Sequence, residues 1–404
     1  MIPQTSGTLS GLRVLDFSRV LAGPFCTMML ADLGADVIKV EHPARGDDTR
    51  AWGPPWWGED EDAQSAYFLS VNRNKRSLTL DVKTPGGRDL ARRLAAQSHI
   101  VVENFKAGQM AAFGLGYDDL RAINPGLVYC SITGFGQTGP YRDRPGYDYV
   151  IQAMSGLMSI TGPEAGPPYK VGVAISDVFA GLFAAASILA AVRHSERTGQ
   201  GQYIDVALLD AQIAALVNVA SNYLVSGQTP PRYGNQHPNI VPYQTFSAAD
   251  GEFVAAVGND GQFARLCELI DRPDLRDDPR CATNPARVEN RAWLVPQLQA
   301  IFARRPAAEW VDKLLAAGIP AGPINAIPAA LSDPHVAARG LVHEIGAQTG
   351  EVLRMIGPPV KLAPDPAQVR TPPPRLGEHT DEILRDVLNL DAETISAYRA
   401  AGVV

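Results

Sequence analysis

Residues 11–41 constrain the fold of this 404-residue chain more than any other stretch. The run GLRVLDFSRVLAGPFCTMMLADLGADVIKVE predicts a strand (Arg13–Phe17), a helix (Pro24–Leu33) and a second strand (Asp36–Glu41). Pro24 falls near the first helical turn, where its missing N–H does no harm. Strand, helix and strand in this spacing make a βαβ unit, the building block of a doubly wound α/β sheet. A dinucleotide site in such a sheet wants GxGxxG in the first turn. Here that turn reads SRVLAGP with one glycine, so a nicotinamide dehydrogenase is the weakest functional reading.

The alternation continues through a helix at Thr84–Gln97, a strand at His99–Asn104, a short helix at Tyr117–Ile123 and a strand at Leu127–Thr133. It runs on to about residue 208, and a helical spacing of apolar residues then covers Asp210–Ser226. At Gly227 the composition shifts to GQTPPRYGNQHPNIVPYQ, a linker or long functional loop. Beyond it a hairpin (Tyr243–Ser247, Phe253–Val257) and helices at Gln262–Ile270, Arg291–Ala303 and Ala307–Ala317 end at GIPAGPIN. The expected domains are therefore 1–226, a smaller inserted α+β domain at 227–325, and a 326–404 return to the first. That return holds a helix near Ala329–Arg339, strands at Gly340–Gly346 and Glu351–Gly357, and a terminal helix pair over Thr380–Ala400.

A net charge of −7 with no basic block argues against nucleic acid as a partner, while leaving room for a local cationic groove that takes an anionic ligand. Cys26, Cys130, Cys267 and Cys281 are far apart, without CxxC, which argues against a disulfide framework or zinc site and for buried thiols. The first ten residues show no signal-peptide pattern. The apolar run Val178–Val192 is shorter than a membrane span, so a buried helix and a cytoplasmic protein are expected.

Asp177 opens that apolar run, and no other acid lies between Glu164 and Glu196. On local physics it reads as a helix cap, since aspartate is a preferred N-cap residue. The competing reading is a carboxylate nucleophile kept ionised by the helix N-terminus.

The motifs LDFSRVLAGPFCTMMLADLGADVIKVE, GDDTR, NRNKRSLTLDVK, VVENFKAG, GFGQTGP, GYDY, ISD, RTGQGQYIDVAL, GIPAGP and LGEHTDEIL run almost end to end. In order and spacing the chain resembles the class III CoA-transferases, the family of formyl-CoA transferase, carnitine CoA-transferase and α-methylacyl-CoA racemase. The resemblance implies a Rossmann-like large domain built from both chain ends, a ring-like protomer and an interlocked homodimer. It also implies acyl-CoA and a small carboxylic acid as substrates, with no metal or permanently bound cofactor.

Carried over by position, Asp177 falls on the family's catalytic aspartate. His42, Leu80, Lys83, Asn104, Phe105 and Lys106 fall where the family contacts coenzyme A, and Lys75 and Arg76 are further candidates for its phosphates. Tyr147 and Asp148 are expected to line the acyl pocket, and His237 and Gln244 to contact an acceptor carboxylate. Two departures matter. Ala112 stands where the family usually has an arginine, so one phosphate contact is either missing here or supplied by another residue such as Arg45 or Arg50. The several-glycine loop of the formyl-CoA transferase branch is absent, which favours succinyl-CoA and a dicarboxylate over formate or oxalate.

Two rivals stay open at this point. A racemase would need a histidine base in a GHD pattern, whereas this chain reads GYD, and tyrosine (unperturbed pKa about 10) is a poor base. A non-catalytic acyl-CoA-binding homologue is the other, and the retained Asp177 speaks against it.

Overall fold

The computed structural model describes residues 6–59, 63–346 and 352–404. The start of the expected Glu351–Gly357 strand and the first five residues lie outside the described residues. Six strands form the central sheet: β1 (Arg13–Asp16), β2 (Asp36–Glu41), β3 (Lys75–Thr79), β4 (Ile100–Glu103), β5 (Val128–Thr133) and β6 (Tyr203–Ala207). Their order is 3-2-1-4-5-6, and every neighbouring pair is parallel. This is the order of dinucleotide-binding folds, despite the missing glycine fingerprint. The winding reverses between β1 and β4, which opens a crevice beyond their C-terminal ends.

A parallel sheet has both faces covered, and its strands β1, β2 and β4 are accordingly buried along their whole length, while the edge strand β6 is partly exposed. Helices α1 (Ala22–Asp32), α2 (Pro85–Ala96), α3 (Asp148–Met154), α4 (Ile175–Thr198) and α5 (Leu208–Ala214) follow the strands. Val14, Val37, Ile100, Val102 and Val128 pack against α1 and α4 on one face. Leu15, Ile38, Val101 and Tyr129, their alternates, face α2 together with Ile383, Leu384, Val387 and Ile395 from the C-terminal helices. Both chain ends therefore share one core. The α2 terminus shows how sequence sets a boundary: Thr84 Oγ1 accepts from the Gly87 amide at 2.9 Å, and Pro85 occupies the first turn.

Helix α4 is longer than its apolar core suggests, at 24 residues. It is the one single helix among the described residues with the length and hydropathy to cross a membrane. One side, including Ala180, Gly181, Ala184, Ile188 and Ala191, is buried in the core beside α1.

The chain divides into two compact units: 1–155 with 171–216 and 335–404, and 156–170 with 217–334. The expectation of an uninterrupted 1–226 segment is corrected. The helical spacing over Asp210–Ser226 conceals a break, because α5 ends at Ala214 and α6 (Val217–Ser226) starts at a residue with φ +39°. In the second unit, β7 (Tyr243–Ser247), β8 (Glu252–Ala256) and β9 (Ala321–Pro323) form an antiparallel sheet in the order 9-8-7. GIPAGPIN, read as an end signal, thus supplies a third strand. Phe302 anchors this unit's core, 4.7 Å from Phe246 and 5.0 Å from Trp310 between ring centroids. The helix expected near Ala329–Arg339 is two short ones, Ile327–Leu331 and Pro334–Ala338, since Pro334 cannot continue the first.

Candidate active site

The loop leaving β1 and the loop leaving β4 meet in the crevice between those strands. Asn104 Oδ1 accepts from the Arg19 amide at 2.8 Å, and its Nδ2 donates to the Arg19 carbonyl at 2.7 Å. Both ends of the Asn104 amide are therefore committed to shaping the first loop. Glu103, at the end of β4, accepts from the Phe105 amide at 2.8 Å, and burial pushes its carboxyl up to about 7. Gly23 lets the loop close onto α1, since a Cβ there would lie 2.2 Å from Ser18 Cβ.

Asp177 is the third residue of α4, not its cap. Ala174 holds the N-cap position without a side-chain bond, and the stretch before it is not a strand. The carboxylate that caps the helix is Asp148 from α3, whose Oδ1 accepts from the Ser176 amide at 2.8 Å. Gln152 Nε2 holds its other oxygen at 2.8 Å. Among the described residues no side chain or backbone group donates to the Asp177 carboxylate. Burial, and then the charge of Asp148, push its pKa up to about 7. The helix terminus therefore does not keep it firmly ionised: Asp148 takes the amide and adds a like charge. Tyr67, missed in the sequence, lies within electrostatic reach. Burial and the charges of Asp177, Asp148 and Asp47 push its phenol up to about 12, so it stays a neutral donor.

Two adjoining clefts contain most of the expected ligand contacts. One, of about 740 Å³, is walled by His42, Leu80, Lys83 and Phe105, together with Arg45 and Val82. The other, of about 1060 Å³, holds Asp177, Tyr147, Asn104, Phe105 and Lys106. Arg19, Phe105 and Gln109 border both, so the two clefts form one path that leads to Asp177. Leu80 and Phe105 supply apolar walls, and Lys83 and Lys106 are exposed cations.

Some expected contacts are corrected. Lys75 is fully buried, and its Nζ donates to the Pro24 carbonyl, Asn72 and Asp16 at 2.9, 3.0 and 3.3 Å. Arg76 is paired with Asp36 at 2.7 Å and Glu382 at 2.8 Å. Both are structural cations with no free edge for a phosphate. Arg50 is likewise held, at 2.7 Å from both oxygens of Glu41. Arg45 lines the first cleft and makes no ion pair among the described residues, so of the two candidates it alone has a free guanidinium. Asp148 lies behind Asp177 as a cap and does not wall the cleft, whereas Tyr147 does and is 66% exposed. His237 and Gln244 belong to the second unit. The His237 ring lies 5.2 Å from Tyr243 and accepts from the Asn239 amide, while Gln244 is buried on β7.

Residue-by-residue reading also missed Arg142 and Arg144, which line the Asp177 cleft. Arg144 stacks on Tyr141 at 3.7 Å. Their signal was in plain view in YRDRPGYD, immediately before Tyr147. In this cleft Arg19 and Arg142 are paired with Asp48 and Asp143 at 3.0 and 3.6 Å, while Lys106 and Arg144 make no ion pair among the described residues and are the cations open to an anionic ligand.

The comparisons with known proteins agree with this chemistry. A profile described as CoA-transferase family III matches residues 9–380. The succinate–glutarate CoA-transferase of Agrobacterium fabrum is 47% identical over 392 residues, covering 96% of this chain and 98% of that one. The human succinyl-CoA:glutarate CoA-transferase is 45% identical, covering 98% and 90%. A crystal structure of a CAIB/BAIF family protein from Brucella suis is 46% identical, with a TM-score of 0.83 over 95% of this chain and all of that one. With a matching profile over most of its length and relatives 45–47% identical that align along nearly the whole chain, this chain belongs to CoA-transferase family III.

Proposed function

We propose that the enzyme moves CoA from succinyl-CoA to a small dicarboxylate, with glutarate the first acceptor to try, through covalent intermediates on Asp177. The carrying observation is the Asp177 carboxylate, which has no hydrogen-bond or ion-pair partner among the described residues and lines a cleft that adjoins the one edged by Arg45, His42 and Lys83. The ionised carboxylate attacks the thioester carbonyl, the C–S bond breaks, and CoA leaves as thiolate with an aspartyl–succinyl anhydride behind it. The thiolate then attacks the aspartyl carbonyl, which releases succinate and leaves an aspartyl-CoA thioester. The acceptor carboxylate repeats the sequence in reverse and departs as its CoA thioester. Splitting one transfer into such steps is nucleophilic catalysis, and its balance calls for no electron carrier.

Arg45, Lys83 and His42 are assigned to the CoA nucleotide, and Phe105 and Leu80 to its apolar portion. Arg142, Arg144 and Lys106 are assigned to anionic groups nearer Asp177, and His237 and Gln244 are retained as acceptor contacts. We also assign an interlocked, cytoplasmic homodimer. The outward side of α4 supports the dimer, because Leu182, Phe183 and Leu189 are 41%, 46% and 36% exposed on one apolar stripe. Mass spectrometry of enzyme incubated with succinyl-CoA tests the chemistry. A CoA adduct on the Asp177 peptide is expected, together with glutaryl-CoA once glutarate is added. Deuterium exchange at the α-carbon of a 2-methylacyl-CoA, without transfer, would sink the proposal in favour of a racemase.

A further inference from the structure

Val20 has φ +70°, a left-handed conformation that a β-branched residue rarely adopts. Its neighbours show what holds it there. The Val20 amide donates to both oxygens of Asp47, at 3.2 and 3.3 Å. Asp47 is fixed in turn by Lys39 Nζ at 2.8 Å and by the amide and hydroxyl of Thr49 at 2.9 and 2.8 Å. Lys39 also donates to the Ser18 carbonyl at 3.0 Å. The Lys39 and Asp47 side chains are both fully buried. Their mutual attraction raises the Lys39 pKa and lowers that of Asp47 to about 2, so both stay charged. A buried ion pair is a poor source of net stability compared with apolar packing. The Asp47 side chain caps the short 3-10 helix Asp48–Ala51, and the geometry of the pair also shapes residues 18–20. Those residues lead directly into Leu21 and Ala22, and Val20, Leu21 and Ala22 wall the same cleft as Asp177.

We propose that the Lys39–Asp47 pair is a positioning device: it holds Val20 left-handed and thereby sets the Val20–Ala22 wall of the Asp177 cleft. Both side chains are fully buried, and Asp47 also borders the neighbouring cleft assigned to CoA. The inference rests on the Asp177 chemistry proposed above, since a misplaced wall matters only if acyl transfer occurs beside it.

Glycine adopts the left-handed region without strain, so Val20→Gly supplies the test. Asp47→Ala is made in the unsubstituted full-length enzyme and in the Val20→Gly background, and succinyl-CoA:glutarate transfer is measured with the melting temperature. Asp47→Ala alone is expected to lower kcat by about ten- to a hundredfold, the scale of a small misplacement at a reacting centre. KM for succinyl-CoA should change far less. In the Val20→Gly background the kcat loss should shrink by about tenfold, because the loop no longer needs to be forced. Asp47→Asn, which keeps an acceptor oxygen, serves the same cycle should Asp47→Ala not fold. Equal losses in the two backgrounds overturn the proposal and leave Asp47 a purely structural residue. The adduct assay separates the two ideas: absence of an Asp177 adduct in unsubstituted enzyme sinks the nucleophile, not the clamp.

Discussion

The Asp148 carboxylate accepts the Ser176 amide at 2.8 Å, one residue from Asp177, so the helix cap and the proposed nucleophile are different acids. Asp148 also contributes its negative charge to the raised pKa of Asp177. Asp148→Asn keeps an acceptor for the amide and removes that charge. The nucleophile must be ionised, so activity is expected to rise with pH through an acid limb near 7 in the unsubstituted enzyme. Asp148→Asn should move that limb toward lower pH. An unchanged limb in the pH–kcat/KM profile would show that Asp148 does not tune Asp177.

The raised pKa also predicts a sign for stability. Asp177 binds its proton more tightly folded than unfolded, so stability falls as pH rises from about 4 to about 7 and is then flat. Below that window both states are protonated and nothing is lost. Asp177→Asn should therefore melt a few degrees higher than the unsubstituted enzyme at pH 8 and equally at pH 4, while losing nearly all transfer. A melting curve that shifts by the same amount at both pH values would contradict the assigned pKa.

Gly181 lies one turn beyond Asp177 on the side of α4 that packs on α1. A Cβ there would sit 2.8 Å from the Ala22 carbonyl oxygen and 3.0 Å from the Phe25 ring. Gly181→Val must push the two helices apart and carry Asp177 away from the Val20–Ala22 wall. The expected result is a kcat loss of about a hundredfold. KM for the CoA thioester should change little, because the cleft walled by His42 and Lys83 takes no residue from α4. A KM effect as large as the kcat effect would refute this placement.

The contrast between Asp36–Glu41 and Asp148 shows what the residue pattern conveys. The β2 strand was legible to its ends because the β-branched Val37, Ile38 and Val40 follow a glycine turn at Gly34, although Asp36, Lys39 and Glu41 in it are buried charges whose partners the pattern does not show. The place of Asp177 at the start of the long apolar helix was legible, yet the helix cap was not, since Asp148 is 28 residues from Ser176. Lys75 and Arg76 were misassigned for a related reason. A cation next to a ligand motif looks the same whether it meets solvent or Asp16, and the Asp16–Lys75 pair spans 59 residues. The break at Val217 was hidden because the apolar spacing of a helix runs through it. Local periodicity reports which face is buried, and it carries nothing about a φ angle or a partner brought in by topology.

Arg45 and Arg50, five residues apart, are expected to fail in opposite ways. Arg45 lines the nucleotide-side cleft without an ion pair, so Arg45→Ala should leave folding intact and raise KM for succinyl-CoA. A rise of roughly ten- to a hundredfold corresponds to one charge-assisted hydrogen bond of about 1.5–3 kcal/mol. Arg50 instead holds the nearly fully buried Glu41 by both oxygens and lies 3.7 Å over the Phe68 ring. Its removal leaves Glu41 with the Ser77 hydroxyl and the Asp47 amide as its remaining partners. Breaking such a pair costs about 3–5 kcal/mol. Arg50→Ala should thus lower the melting temperature and reduce the active fraction, with KM nearly unchanged in the molecules that stay folded. Because Glu41 also accepts the Asp47 amide, any kcat loss in those molecules should track displacement of the Val20 loop. Should Arg50→Ala instead raise KM without destabilising the fold, the phosphate contact left open by Ala112 belongs to Arg50 and the Glu41 pair is not what holds it.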